Sequence, residues 1–225
     1  MDYETFINHP SINETLKRNV RFYRMKLDAT DNPSAKGKRK GELYECILCG
    51  SLNPHTTKIA VSDAGKRDFT YKHITFECKQ GGSAFCNYDY ETLKLTDTHS
   101  RGMFFAVCLN YNPDRDVEQT TRFLPYYELV SFLYECGKIR LKKDSQKTAD
   151  FKAMGMTQPD TQLAPQFDRL NGDEIDELNR ISMSYDEFKE YAENRNGFKY
   201  TTDDLNNLFE TIILDLATKK ASKKK

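Results

Sequence analysis

Apolar and polar residues alternate over one short segment in the first half of the chain, which predicts a strand. Side chains on a strand point to opposite faces with a period of two, so Ile74, Phe76 and Cys78 share one face. Glu77 and Lys79 share the other face, about 7 Å apart along the strand. The segment therefore presents an acid and an amine side by side, on a strand whose opposite face can be buried.

Elsewhere the apolar residues predict helices and further strands. The helical period and capping residues predict one helix over 12–27, a second over 125–137 and three more within 172–218. The continuous apolar run 103–109 predicts a strand covered on both faces, and 139–141 predicts a short strand. Together these elements predict an α/β sandwich followed by a C-terminal helical lobe.

Polar segments separate these elements. Residues 28–40 are rich in Asp, Asn, Pro, Ser, Gly and Lys and predict a mobile linker, and the polar segment 142–171 predicts a long loop. Residues 58–62 are a strand candidate, whereas 41–50 fit either a short helix or a strand. The predicted organisation is an N-terminal helix and mobile basic linker (1–40), an α/β core (41–143), a loop (144–171), a helical lobe (172–218) and a basic tail (219–225).

Charge and hydropathy restrict the partners. The 34 basic and 34 acidic residues cancel, so any binding to nucleic acid has to come from local clusters. Two basic clusters are candidates for phosphate contacts: Lys36, Lys38, Arg39 and Lys40 in the first, and Lys138, Arg140, Lys142 and Lys143 in the second. No apolar stretch approaches the roughly 20 residues of a membrane helix, and the N-terminus lacks the apolar core of a signal peptide. We therefore expect a cytoplasmic protein without a membrane partner.

The strand hairpin formed by residues 68–79 carries the candidate chemistry. Phosphodiester hydrolysis needs a divalent cation that neutralises the phosphate and activates water, and Mg²⁺ is held by one or two carboxylates plus waters. Asp68 opens the hairpin and Glu77 lies in its second strand, so both are candidate metal ligands. Lys79 is on the same face as Glu77 and is a candidate for positioning or deprotonating the water.

The run Ile74-Thr-Phe-Glu-Cys-Lys79 resembles the signature of the PD-(D/E)xK nuclease superfamily, in which an acid opens a hairpin and an acid and a lysine follow in its second strand. Asp68 is preceded by Arg67 where the name-giving motif has Pro. The resemblance implies a restriction-endonuclease-like central mixed sheet flanked by helices. It also implies that Glu45, or failing that Glu42, supplies a further acid from the first helix.

The elements after this run resemble those of phage and Firmicute-type Holliday-junction resolvases within the same superfamily, and the resemblance covers roughly residues 40–141. It implies a Mg²⁺-dependent DNA endonuclease selective for branched DNA, acting in recombination, and located in the host cytoplasm if a phage encodes it. A resolvase of this type would act as a homodimer, because two strands are cut symmetrically.

Cysteine spacing supports a competing interpretation. Cys46 and Cys49 are spaced like half of a zinc knuckle, and Cys78 and Cys86 are available as a second pair, although their separation is wider than usual. Bound Zn²⁺ would make the segment a nucleic-acid-binding zinc ribbon without catalysis. The two interpretations exclude each other at Glu77-Cys78-Lys79, since neighbouring side chains cannot serve both ions in one small site. A non-catalytic phage structural protein with neither site is the third alternative.

Overall fold

The computed structural model describes residues 1–56, 68–72, 74–80, 103–108, 111–143, 145–157, 163–193, 200 and 202–222. Most of these residues lie in helices. The helices are α1 (Tyr3–Asn8), α2 (Glu14–Asp28), α3 (Pro33–Leu52), α4 (Val117–Thr120), α5 (Tyr126–Glu135), α6 (Ser145–Ala153), α7 (Gly172–Ile181), α8 (Tyr185–Glu193) and α9 (Thr202–Ser222). The strands are β1 (Phe69–Tyr71), β2 (Ile74–Gln80), β3 (Met103–Cys108), β4 (Arg122–Pro125), β5 (Ile139–Lys143) and β6 (Leu163–Phe167).

Helix α3 begins inside the segment that the sequence predicted to be a mobile linker, so that prediction was wrong. The Asn32 side chain accepts hydrogen bonds from the backbone N–H groups of Ser34 and Ala35, and Pro33 occupies the first helical turn. Asn and Pro are common in loops, but in this order they cap and start a helix. The helix then continues through 41–50, the segment for which helix and strand were both open.

Helix α3 packs against α1 at a glycine. A Cβ atom on Gly50 would lie 2.5 Å from two ring carbons of Phe6, a fully buried side chain, and 3.3 Å from Leu16. Ordinary van der Waals contact needs more space than this. The α1–α3 packing therefore requires a residue without a side chain at position 50.

We expect Gly50→Ala to destabilise the protein by about 1–3 kcal/mol, because the added methyl group overpacks a buried contact. Gly37→Ala is the matched control, since Gly37 lies exposed in the same helix and a Cβ there would meet nothing within 4 Å. Alanine should stabilise that position by about 0.5–1 kcal/mol through its helix propensity. Urea unfolding of both variants measures the two effects. A change of the same sign in the free energy of unfolding of both variants would contradict the expected packing.

The strands form two separate sheets. The first has the order β1-β2-β3-β4, in which β2 and β3 are parallel and the outer pairs are antiparallel. The second contains β5 and β6 as an antiparallel pair, from Ile139 opposite Phe167 to Lys143 opposite Leu163. The predicted hairpin is present, since Phe69 of β1 lies opposite Phe76 of β2.

The predicted fold class, an α/β protein with a restriction-endonuclease-like central mixed sheet flanked by helices, was wrong. The described part of the chain is mostly helical, and its short strands divide between two small sheets. Strand β5 was expected to belong with the other strands, but it pairs with β6, which lies in the predicted 142–171 loop. Helix α6 lies in the same predicted loop. The strand candidate at 58–62 and the helix that the resemblance implies between Lys79 and Met103 lie outside the described residues.

Two apolar cores hold these elements together. The first core is formed mainly by α1, α2, α3, β1, β2 and α8, and the second mainly by α5, β5, β6, α7 and α9. Strand β4 contributes to both, because Phe123 is buried in the first core and its neighbour Leu124 in the second. The three C-terminal helices were predicted correctly as helices, but α8 packs in a different core from α7 and α9.

Helix α8 is tied to the first sheet by backbone hydrogen bonds just before its start. Phe123 and Met183 each donate an N–H to the other's carbonyl oxygen, at 2.9 and 2.8 Å. Ser184 then caps the helix together with Glu187, as its sequence predicted. Among the described helices, none combines the length and the apolar content that crossing a membrane requires.

Candidate active site

The hairpin of β1 and β2 positions three of the four predicted catalytic side chains. Asp68 directly precedes β1 and accepts a hydrogen bond on Oδ2 from the backbone N–H of Cys78. Its own N–H donates to the carbonyl of Phe76 at 2.9 Å. Glu77 and Lys79 lie on one face of β2 and form an ion pair between Oε1 and Nζ. The strand pairing therefore brings both acids and the lysine to one place.

Helix α3 supplies the fourth side chain. The helix packs against both β1 and β2, and Glu45 lies on it, flanked by the buried residues Tyr44 and Cys46. The charges of Asp68, Glu77 and Lys79 all act on the Glu45 carboxyl. Glu42, the other acid considered, instead pairs with Arg39 one turn earlier, at 2.7 Å. The structure thus brings Glu45 together with the three hairpin residues.

The cluster holds more negative than positive charge in a poorly hydrated place. Burial, reinforced by the charge of Asp68, raises the pKa of Glu45 to about 9, and Lys79 opposes this shift. Burial and then the charge of Glu77 raise the pKa of Asp68 to about 7, against the hydrogen bond from Cys78. Burial disfavours an ionised carboxylate, and neighbouring carboxylates add to that cost. A bound cation would relieve both costs.

We expect the stability of the protein without a bound cation to fall as the pH rises from about 5 to 9. The pKa of Glu45 is higher in the folded state than the ordinary value of 4.5, so over this range the folded protein holds a proton that the unfolded chain has released. Glu45→Gln removes this titration and should stabilise the protein at pH 9 much more than at pH 5. Thermal unfolding in EDTA at both pH values measures the difference.

The exposed carboxylate of Glu210 on α9 provides the control. Glu210→Gln should leave the pH dependence of unfolding as it is in the parent protein, because the group is in contact with water. A Glu45→Gln variant that loses stability with rising pH as steeply as the parent would contradict the electrostatic origin of the effect.

The donor atoms fit a hard cation. Carboxylate oxygens are the ligands that Mg²⁺ takes, and it keeps several waters beside one or two of them. Within the ranges that the structure describes, no three His, Cys, Asp or Glu side chains form a group that could hold an ion. Mg²⁺ needs only one or two carboxylates, so Asp68 and Glu77 are the residues that could hold it, with waters as the remaining ligands.

The cysteines have the surroundings of core residues. Cys46 and Cys49 lie on helix α3 and not in a knuckle turn, and both are buried in the first core, as is Cys78 on β2. Burial raises the pKa of the Cys49 thiol to about 12 and those of the other two thiols well above their usual value. Zinc binds thiolates, so these surroundings do not favour the zinc interpretation. Cys86 lies outside the described residues.

The two predicted phosphate-binding clusters differ in how far ion pairs within the protein engage their charges. Lys36, Lys38 and Lys40 lie on the first half of α3, and no ion pair involves them in the part of the chain that the structure describes. In the second cluster, Lys138 pairs with Glu174 at 2.9 Å and Arg140 with Asp168 at 2.8 Å. Lys142 and Lys143 lie in β5, and their side chains are outside the described part. The first cluster is the better candidate for binding phosphates.

One neighbour of the site was not predicted from the sequence. Tyr23 of α2 is half-buried beside α3, and burial raises its pKa. The negative charges of Cys46, Glu42 and Glu45 raise it further. The sequence assigned Tyr23 only to the apolar stripe of its helix, and no motif distinguishes it. Its position shows that α2 borders the carboxylate cluster.

Comparison of the chain with protein-family models, with curated proteins and with solved structures returned no match. The function therefore has to be inferred from the chemistry of these side chains.

Proposed function

We propose that the protein is a Mg²⁺-dependent DNA endonuclease that hydrolyses phosphodiester bonds at the cluster of Glu45, Asp68, Glu77 and Lys79. The observation that carries this proposal is the convergence of three carboxylates and one lysine from a helix and a hairpin. A purely structural ion pair would need one acid for the lysine. The excess of acids at a buried place suits a site that receives a cation.

Each side chain has a role that follows from its surroundings. Asp68 and Glu77 would hold the cation, which when bound neutralises the phosphate and activates water. Lys79 is fixed by its ion pair with Glu77, so its ammonium group can orient the attacking water and stabilise charge on the phosphate. Glu45 would hold a proton or support the other acids, since burial keeps its carboxyl neutral at pH 7 until a cation binds.

We further propose that the protein prefers branched DNA and acts as a homodimer. This proposal rests on the motif order alone. A four-way junction contains four strands that are related in pairs, and two copies of the protein related by a twofold axis would cut the two strands of one pair symmetrically.

The experiment that tests the proposed function is a cleavage assay with the full chain. The substrates are supercoiled plasmid, a synthetic four-way junction, linear duplex and single-stranded DNA, each with Mg²⁺, with Mn²⁺ or with EDTA. We expect cleavage with Mg²⁺ and none with EDTA, and faster cleavage of the junction than of the linear duplex. Absence of cleavage on all four substrates with both metals would refute the nuclease proposal. Equal rates on junction and duplex would refute only the preference for branched DNA.

A further inference from the structure

The exposed face of helix α2 has an unusual composition for a solvent-facing surface. Arg18, Arg21, Phe22 and Met25 follow the spacing i, i+3, i+4, i+7 and therefore lie on one face. All four are exposed, Phe22 by 44% and Met25 by 61%. Two large apolar side chains thus lie in water beside two arginines, and packing among the described residues does not cover them.

The positive charges on this face are not neutralised within the described protein. Arg18, Arg21 and Lys26 take part in no ion pair among the described residues, and the Lys26 ammonium lies 4.2 Å from the centroid of the Phe22 ring. The acids at the two ends of α2 are engaged by other bases: Glu14 pairs with Lys17, and Asp28 pairs with Arg24. The face therefore remains positive although the whole chain has no net charge.

The neighbouring helix adds to this charge. Helix α3 packs against α2, and its first half carries Lys36, Lys38 and Lys40, which likewise form no ion pair in the described part of the chain. The same helix carries Glu45 of the candidate active site. A polyanion bound on α2 would therefore be attracted by the charges of both helices.

We propose that the α2 face, formed by Arg18, Arg21, Phe22, Met25 and Lys26, binds a single-stranded segment of nucleic acid. Arginines and a lysine contact the phosphates, and Phe22 offers a ring on which an unpaired base stacks. A duplex hides the faces of its bases, so the apolar pair would add nothing to duplex binding. The choice of nucleic acid as occupant rests on the proposed function, and binding to the α2 face deepens that function by naming an unpaired strand as part of the substrate.

Binding can be tested separately from cleavage. Fluorescence anisotropy of a fluorescein-labelled 20-nucleotide dT strand, titrated with the full chain in EDTA, measures affinity without any cation at the carboxylates. We expect the Arg18→Ala/Arg21→Ala double variant to bind more weakly, with the slope of log K against log salt reduced by about 1.4, which corresponds to two lost contacts on a single strand. Phe22→Ala should weaken binding by about fivefold or more through lost stacking.

The matched control is the Lys152→Ala/Arg180→Ala double variant, which removes two exposed positive charges from α6 and α7. It should bind the dT strand like the parent protein. The inference is overturned if the parent protein does not bind the strand, if the two double variants bind alike, if Phe22→Ala has no effect, or if a 20-base-pair duplex binds as tightly as the single strand. Binding that follows the expected pattern in a protein without nuclease activity would refute the proposed function alone.

Discussion

Glu77→Gln is expected to lower Mg²⁺-dependent DNA cleavage at least about 100-fold while leaving the protein folded. Glutamine keeps the shape of the side chain but removes a charged cation ligand, and even outer partners of metal ligands are worth about 10–100-fold in activity. Glu77 is only 4% exposed, so its loss would normally threaten stability. Here neutralisation relieves its repulsion with two other acids but also removes the ion pair with Lys79, so the two effects oppose each other. The thermal midpoint in EDTA should therefore stay close to that of the parent protein.

The neighbouring variants separate the roles within the cluster. Asp68→Asn should lower cleavage at least as much as Glu77→Gln, and Lys79→Ala should lower it by about 10²–10⁴-fold, the range for a group that positions or deprotonates water. Glu190→Gln changes an exposed acid on α8 and should be as active as the parent. Single-turnover cleavage of a junction with Mg²⁺ measures all four rates. Undiminished cleavage by Glu77→Gln would refute the assignment of the site.

Phe188→Ala is expected to lower the free energy of unfolding by about 3–5 kcal/mol, the range for removing a fully buried aromatic ring. The Phe188 ring stacks on Phe123 with centroids 4.2 Å apart and meets Phe76 edge-on at 5.3 Å. Phe76 in turn stacks on Phe69 at 4.7 Å. This aromatic cluster joins α8 to β4 and to the hairpin that carries the candidate site, so no neighbour can fill the cavity without moving one of them.

Urea unfolding of Phe188→Ala measures this loss, with Phe22→Ala as the control. Phe22 is the same residue type but is 44% exposed on α2, so its removal should change stability by no more than about 0.5 kcal/mol. A loss below about 1 kcal/mol for Phe188→Ala would show that the cluster does not hold the sheet and α8 together.

The hairpin and its polar face were predictable because they depend on local periodicity. Alternation over six residues placed Glu77 and Lys79 on one face, and the structure pairs them. The same pattern did not reveal that Glu77 is buried, because alternation distinguishes the two faces of a strand without showing what covers each one. Burial of the polar face depends on other elements, including α3, which are distant in sequence.

The fold class was not predictable from these patterns for two physical reasons. The residues that cap helices also make loops, so Asn32 and Pro33 were assigned to a linker when they start α3. Strand pairing is the second reason, because it is decided by partners far apart in the chain. Strand β5 was recognised, but its partner β6 contains a proline and lies in a polar segment, and no local pattern indicated it.

The composition of the first core has a consequence for the synthesis of the chain. The core joins Phe6 of α1 to Phe188 of α8, so it is incomplete until the ribosome has released most of the protein. Domains generally fold as units, and translation adds about 5–20 residues per second. Phe76 and Phe123 therefore emerge before the ring that covers them, and they remain in contact with water for several seconds, on the order of the time needed to add the intervening residues. Chaperones that bind aromatic segments would have their main access to the nascent chain during this interval.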